Sequence, residues 1–152
     1  MKGNHFVVHW IVSGRLTVVA LALALLPGCS SASKEALVPV AGTITVNDQL
    51  LQHGTVVFHP DVEKGNNDKR EPRGVIAAEQ PGAYRLTTDN KDGAPPGWYT
   101  MTVNAIKPSV GMRPTEWLAD PKYADEKKSG LSVEVVKDAK TGAYDFKLEP
   151  PQ

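Results

Sequence analysis

Disulfides cannot staple this fold, because the chain holds a single cysteine, Cys29, and a bridge needs two thiols. An excess of charge is missing as well: 17 basic side chains face 17 acidic ones. Setting aside the first 28 residues removes Lys2 and Arg15, and the 15 basic and 17 acidic groups that remain give a net charge near −2. Nucleic acid is therefore not an expected partner, since it calls for a basic patch or stripe. Electrostatic attraction to anionic lipid is not expected either, since it calls for a polybasic segment. No long segment carries the 3.6-residue period of an amphipathic helix. The clearest apolar run, residues 16–26 (LTVVALALALL), has 11 residues and falls short of the ~20 needed to cross a bilayer as a helix. There is no G-x-S-x-G elbow for a serine nucleophile. No glycine-rich loop leads into a helix to cradle phosphate. Neither a metal nor a cofactor is expected.

What is present begins with a leader. Lys2 and Arg15 supply positive charge, residues 16–26 form an apolar core of signal-peptide length, and Leu26-Pro27-Gly28-Cys29 follows. These last four residues resemble the lipobox read by bacterial lipoprotein signal peptidase: leucine three before the cut, a small residue just before it, cysteine after it. Pro27 stands where Ala, Ser or Thr is more usual. The thiol then has a chemical use, since a thiolate is the nucleophile that takes a diacylglyceryl group. The new amino terminus can take a further chain, and several chains anchor stably where one binds marginally. The resemblance implies a cleaved signal peptide over 1–28, lipid on Cys29, and a flexible membrane tether over 29–37. Ser30, in place of an Asp after the cysteine, points to the outer membrane and the periplasmic side. Two other readings stand beside this one. An ordinary cleaved signal is the first. The second takes residues 6–26 as one uncleaved helix, with Arg15 mid-membrane at a cost of ~2.5–3.5 kcal/mol.

Beyond residue 37 the period becomes two. Val38, Val40, Ile44 and Val46 alternate with polar or small residues, as do Tyr84 and Leu86, then Tyr99, Met101, Val103 and Ala105. Leu131, Val133 and Val135, and Tyr144, Phe146 and Leu148, repeat the pattern. Residues 55–58 and 75–78 are shorter runs of strand character. Such alternation marks strands with one buried face. About seven of them, separated by turn residues, predict a single all-β antiparallel sandwich over residues 38–149. Tyr99, Val103 and Phe146 are expected in its core. Asn47-Asp48, Pro81-Gly82, Gly93 to Gly97 and Thr141-Gly142 read as turns. Residues 60–73 read as a solvated or mobile loop, and residues 107–130 as a long connection in which Thr115 starts a helical turn.

VAGTITVNDQLLQHGTVVFHP resembles the opening of carboxypeptidase regulatory-like domains, which share a transthyretin-like or prealbumin-like β-sandwich. GAYRLTTDNKDGAPPGWYTMTV is similar to that family's next block, a Gly-x-Tyr strand, an Asp-Gly turn and Pro-Gly-x-Tyr entering a strand. The resemblance covers residues 38–148 and extends to small exported bacterial lipoproteins. It implies a fold and a surface location, and no reaction. At the first hairpin the family often has Asp-Gly where this chain has Asp48-Gln49. The tight turn there must use residues without glycine's freedom at positive φ.

Few residues offer chemistry. His53, His59 and Asp61 would make a hydrolytic or metal-dependent site if the chain folded back to gather them. Along one strand, the two histidines would stand ~20 Å apart. Asp89-Asn90-Lys91-Asp92-Gly93 has some of the oxygen ligands of a calcium loop, but Lys91 puts a cation among them and the distal Glu is missing. A polar turn is the plainer reading. Trp98, Trp117 and Tyr123 form the one suggestive aromatic set, suited to an envelope protein or a glycan if exposed, or to covering one side or end of the sandwich if the long connection folds back. The expectation is a non-enzymatic binding or structural module, held at the membrane through Cys29.

Overall fold

The computed structural model describes residues 36–109, 111 and 114–152. The signal segment, Cys29 and residues 30–35 of the expected tether lie outside the described residues.

Among the described residues, ten strands build two sheets. In chain order they are β1 Ala41–Val46, β2 Gln49–Leu50, β3 Gly54–Pro60, β4 Arg73–Ile76, β5 Ala83–Arg85, β6 Thr87–Thr88, β7 Lys91–Asp92, β8 Gly97–Asn104, β9 Leu131–Val135 and β10 Phe146–Leu148. The seven longer strands are those the alternation marks. The other three have two residues each, too few to carry a period. The larger sheet runs β7-β6-β4-β3-β8-β9, with every pair antiparallel. In the smaller sheet, β5 is antiparallel to the first half of β1, with Gly42 opposite Tyr84. The second half of β1 pairs with β2 and β10.

One expectation is corrected here. The fold is not wholly antiparallel, because β10 runs parallel to β1, with Ile44 opposite Phe146. A parallel pair needs a long crossover, and nearly the whole domain lies between these two strands. The last strand also starts later than the alternation predicts. Residues 141–144 are turn, although Tyr144 is buried.

The turn chemistry is legible in the backbone. Asn47 and Asp48 take φ of 49° and 61°, and Asp89 and Asn90 take 50° and 62°. Two successive positive values make the mirror-image turns whose twist suits a hairpin. Asn and Asp tolerate that region better than other non-glycine residues. The first hairpin therefore closes without glycine.

The inward faces of both sheets feed one hydrophobic cluster. Ile44, Tyr84 and Leu148 come from the smaller sheet, and Val56, Phe58, Ile76, Tyr99, Met101, Val103, Val133 and Val135 from the larger. The arrangement is all-β and sandwich-like. Tyr99 and Val103 are buried as expected, while Phe146 is only partly buried. Buried tyrosines keep a partner for the polar end of the ring. Tyr84 donates to the Tyr144 carbonyl at 2.8 Å, and Tyr99 to the Pro95 carbonyl at 2.8 Å.

The polar stretch 60–73 is fastened rather than loose. Pro72 is fully buried and Asn66 is 8% exposed. The Asn66 amide donates to the Trp98 carbonyl at 2.8 Å, and Phe58 N–H to the Pro72 carbonyl at 2.9 Å.

The domain has two distinguishable ends. At one, the chain enters: Val38 and Ala94 exchange backbone hydrogen bonds of 2.8 and 2.9 Å, just before β8 begins at Gly97. Ala36 and Leu37 lie there beside Arg70, Thr88 and Lys91. At the other end stand the Asn47-Asp48 turn, the Ile106–Trp117 bridge and Leu118, whose N–H bonds the Ala105 carbonyl at 2.8 Å. No helix among the described residues is long and apolar enough to cross a membrane.

Candidate functional site

Strand alternation leaves Thr55, Val57 and His59 of β3, and Trp98, Thr100 and Thr102 of β8, on the outward face of the larger sheet. The register sets Val57 opposite Thr102 and His59 opposite Thr100. Residues 61–72 lie along this face and bring Glu71 to His59. His59 Nδ1 is 3.1 Å from Glu71 Oε1, and Nε2 is 2.9 Å from Thr102 Oγ1. A carboxylate only accepts, so in the neutral ring Nδ1–H donates to Glu71 and Nε2 accepts the Thr102 hydroxyl proton. Arg73 donates to the other Glu71 oxygen at 2.7 Å. The Arg73 guanidinium first, and His59 second, hold the Glu71 carboxyl below its ordinary range.

Acid, imidazole and hydroxyl in series are the ingredients of nucleophilic catalysis, in which the imidazole removes the hydroxyl proton as the oxygen attacks. The same distances also describe a latch that pins residues 61–72 to the sheet. Thr102 is 6% exposed. A substrate carbonyl would have to reach that oxygen through the covering side chains. The sequence offers no local signal for this trio, because its members lie 12 and 43 residues apart.

The residues singled out from the sequence do not converge. His53 precedes β3 at the end away from Val38 and Ala94, and His59 lies near the other end of that strand. Asp61 caps a 3₁₀ turn, Val62–Lys64, accepting the Lys64 N–H at 3.1 Å. No group of three His, Cys, Asp or Glu side chains among the described residues is placed to hold a metal ion. Asp89 to Asp92 form the β6–β7 hairpin.

The aromatic set also separates. Trp98 is half-buried under Lys64, whose Nζ sits 4.7 Å from the ring centre and bonds Ser132 Oγ at 2.5 Å. Trp117 pairs with Ile106, eight residues further along the β8 line and so ~26 Å away. Tyr123 belongs to the core rather than to any surface. It is 6% exposed, in a 3₁₀ turn, Pro121–Ala124, and its hydroxyl accepts the Glu149 N–H at 3.2 Å. Pro121 starts that turn and Asp120 caps it by accepting Lys122 N–H at 2.9 Å. The turn thus directs the ring inward. No helical turn forms at Thr115.

Open depressions also mark the surface of the described residues. A trough of about 510 Å³ crosses β1 and β5, with Thr43, Gln80, Arg85 and Asp145 on its walls. Asp145 there takes the Thr43 N–H at 2.7 Å. A smaller depression of about 280 Å³ at the end away from Val38 and Ala94 is lined by Val46, Leu50, Leu51, Leu118 and Pro150 with Gln49 and Gln52. No family model, no curated protein and no solved structure matches this chain.

Proposed function

We propose that this chain is an exported, membrane-tethered module of the bacterial cell envelope. In this reading it is cut before Cys29, lipidated on that residue, and acts by binding or by holding structure rather than by catalysis. The carrying observation is the string Leu26-Pro27-Gly28-Cys29, which ends an apolar run of signal length. The ordered domain follows within nine residues, at Val38. Under this proposal residues 38–149 are a carboxypeptidase regulatory-like sandwich of transthyretin-like type. Its all-β, two-sheet arrangement supports that assignment without specifying it. The partner is another envelope protein or a glycan. Both ring nitrogens of His59 are engaged and the Thr102 hydroxyl is nearly buried, which favours a latch over a reaction centre.

The test is Cys29→Ser. The variant is expected to keep residues 1–28 and to carry no acyl chains, both read from the intact mass of the membrane fraction. A mature mass identical to the parent's, apart from the one atom exchanged, refutes the reading.

A second reading takes the Glu71–His59–Thr102 series as a hydrolytic site in place of the His53–Asp61 cluster. The 2.9 and 3.1 Å spacings favour it.

A further inference from the structure

The stretch of chain that joins Cys29 to the sandwich has a contour length shorter than the sandwich is long. From Cys29 to Ala36, the first described residue, the chain takes seven steps. Fully extended, these reach at most ~25 Å. Relaxed, a flexible segment of that length spans ~15 Å. The line from Gly97, where β8 begins, to Ile106, where it bridges Trp117, takes nine steps, or ~30 Å at 3.3 Å per residue. To stand the sandwich upright on its far end, the tether would have to run this whole length and still reach the bilayer. It is too short even when fully stretched.

The side chains at the near end agree with a lipid surface of balanced charge. Ala36 and Leu37 lie among Arg70, Thr88, Asp89, Lys91 and Asp92, and Arg70 is paired with Asp68 through Nε at 2.9 Å. Acidic and basic groups alternate there, so the surface complements headgroups that carry both a phosphate and an ammonium. It has no excess of positive charge to select anionic lipid.

We infer that the end carrying Ala36, Lys69 and the β6–β7 hairpin faces the phospholipid surface, while the end carrying Trp117 and the Leu50–Leu118 depression is held away from it. This rests on the lipid on Cys29 proposed above. It deepens that reading, because the end held away is the one a partner can approach.

The experiment uses the full acylated protein in phosphatidylcholine vesicles. The Cys29 sulfur is consumed by its thioether, so a new cysteine is the one reactive thiol. Lys69→Cys and Gln49→Cys, both at exposed positions, each receive the same fluorescent donor, and the vesicles carry an acceptor on the lipid headgroup. Energy transfer is expected to be several-fold greater from position 69 than from position 49. Fifteen Gly/Ser residues inserted after Ser31 should shrink that difference, since 22 residues reach ~26 Å when relaxed. Equal or reversed transfer overturns the inference, as does a difference that the insertion leaves unchanged. Intact mass and vesicle flotation separate the two possible failures. Acylated, floating protein with equal transfer removes the orientation alone, whereas protein without acyl chains removes the anchor and the orientation with it.

Discussion

Gly42 lies directly against the Tyr144 backbone, and Gly42→Ala tests the sandwich at that point. A Cβ built on Gly42 would stand 2.0 Å from the Tyr144 carbonyl oxygen and 2.6 Å from its carbon. Contacts under 3.0 Å are essentially never seen, so the carbonyl must retreat by about 1 Å in an interior packed as tightly as a crystal. It is not free to do so. Tyr84, opposite Gly42 in the β1–β5 pair, donates to that oxygen at 2.8 Å. Tyr144 itself is buried and its hydroxyl accepts Val136 N–H at 3.3 Å. Overpacking against side chains costs ~1–3 kcal/mol, and against held backbone the upper end, ~3 kcal/mol, is expected. In urea, with a slope of ~1.5–2 kcal/mol per molar, the unfolding midpoint should fall by ~1.5–2 M. Gly65→Ala serves as the comparison. Nothing lies within 4 Å of a Cβ there and only a φ of +87° opposes it, a cost of ~1 kcal/mol. The assay is equilibrium unfolding followed by circular dichroism. If Gly42→Ala unfolds at the parent's midpoint, or costs less than Gly65→Ala, the apposition of β1 with residues 141–145 is wrong.

Two further outcomes bear on the segment that covers the larger sheet. Asp68 and Glu71 both have folded pKa values below the ordinary carboxylate range, Asp68 chiefly through its hydrogen bond from Arg70 and Glu71 chiefly through Arg73. Depressed carboxylates contribute stability above the unfolded value, ~4, and lose it as pH falls through the folded value. Amide exchange in residues 61–72 should therefore accelerate below about pH 4 ahead of the core strands, and Asp68→Asn should remove part of that acid response. Exchange with no pH dependence beyond the intrinsic rate contradicts it. Thr102→Val removes the hydroxyl that His59 holds, at a cost of ~1 kcal/mol. Parent and variant should both leave a p-nitrophenyl ester at the buffer rate, and hydrolysis by the parent that Thr102→Val abolishes would establish the hydrolytic reading instead.

The strands were legible wherever a segment is long enough to show a period and its partner needs no naming. Val133 and Val135 alternate with Glu134 whatever lies beside them. The β1–β10 pair was not legible, because Ile44 and Phe146 are about a hundred residues apart and alternation is the same for parallel and antiparallel neighbours. Whether Tyr123 is exposed or folded back onto the sandwich was open in the sequence for a related reason. A polar stretch with one aromatic reads as surface, and the inward turn depends on Pro121 and Asp120 acting together with Glu149 from the far end of the chain. Residues 60–73 look solvated by composition, and Pro72 is the exception that carries the burial. Of the candidate site, His59 was visible as a residue, whereas Glu71 and Thr102 became its partners only through the β3–β8 register and the path of the covering segment.

A short address and a fold divide the functional information between them. In the reading proposed above, Leu26-Pro27-Gly28-Cys29 is read locally, by whatever enzyme binds four residues, and carries no information about which surface the domain presents. That choice follows from two lengths together. Were the spacer thirty residues, its relaxed reach would be ~30 Å, comparable to the sandwich, and either end could meet the lipid. At seven steps to Ala36, the proposed anchor brings the end beside Val38 and Ala94 to the lipid. Under the proposed anchor, tether length would act as an orienting device. Trp117, partly exposed, would then be available to partners because of where Cys29 lies in the sequence as much as because of its own exposure.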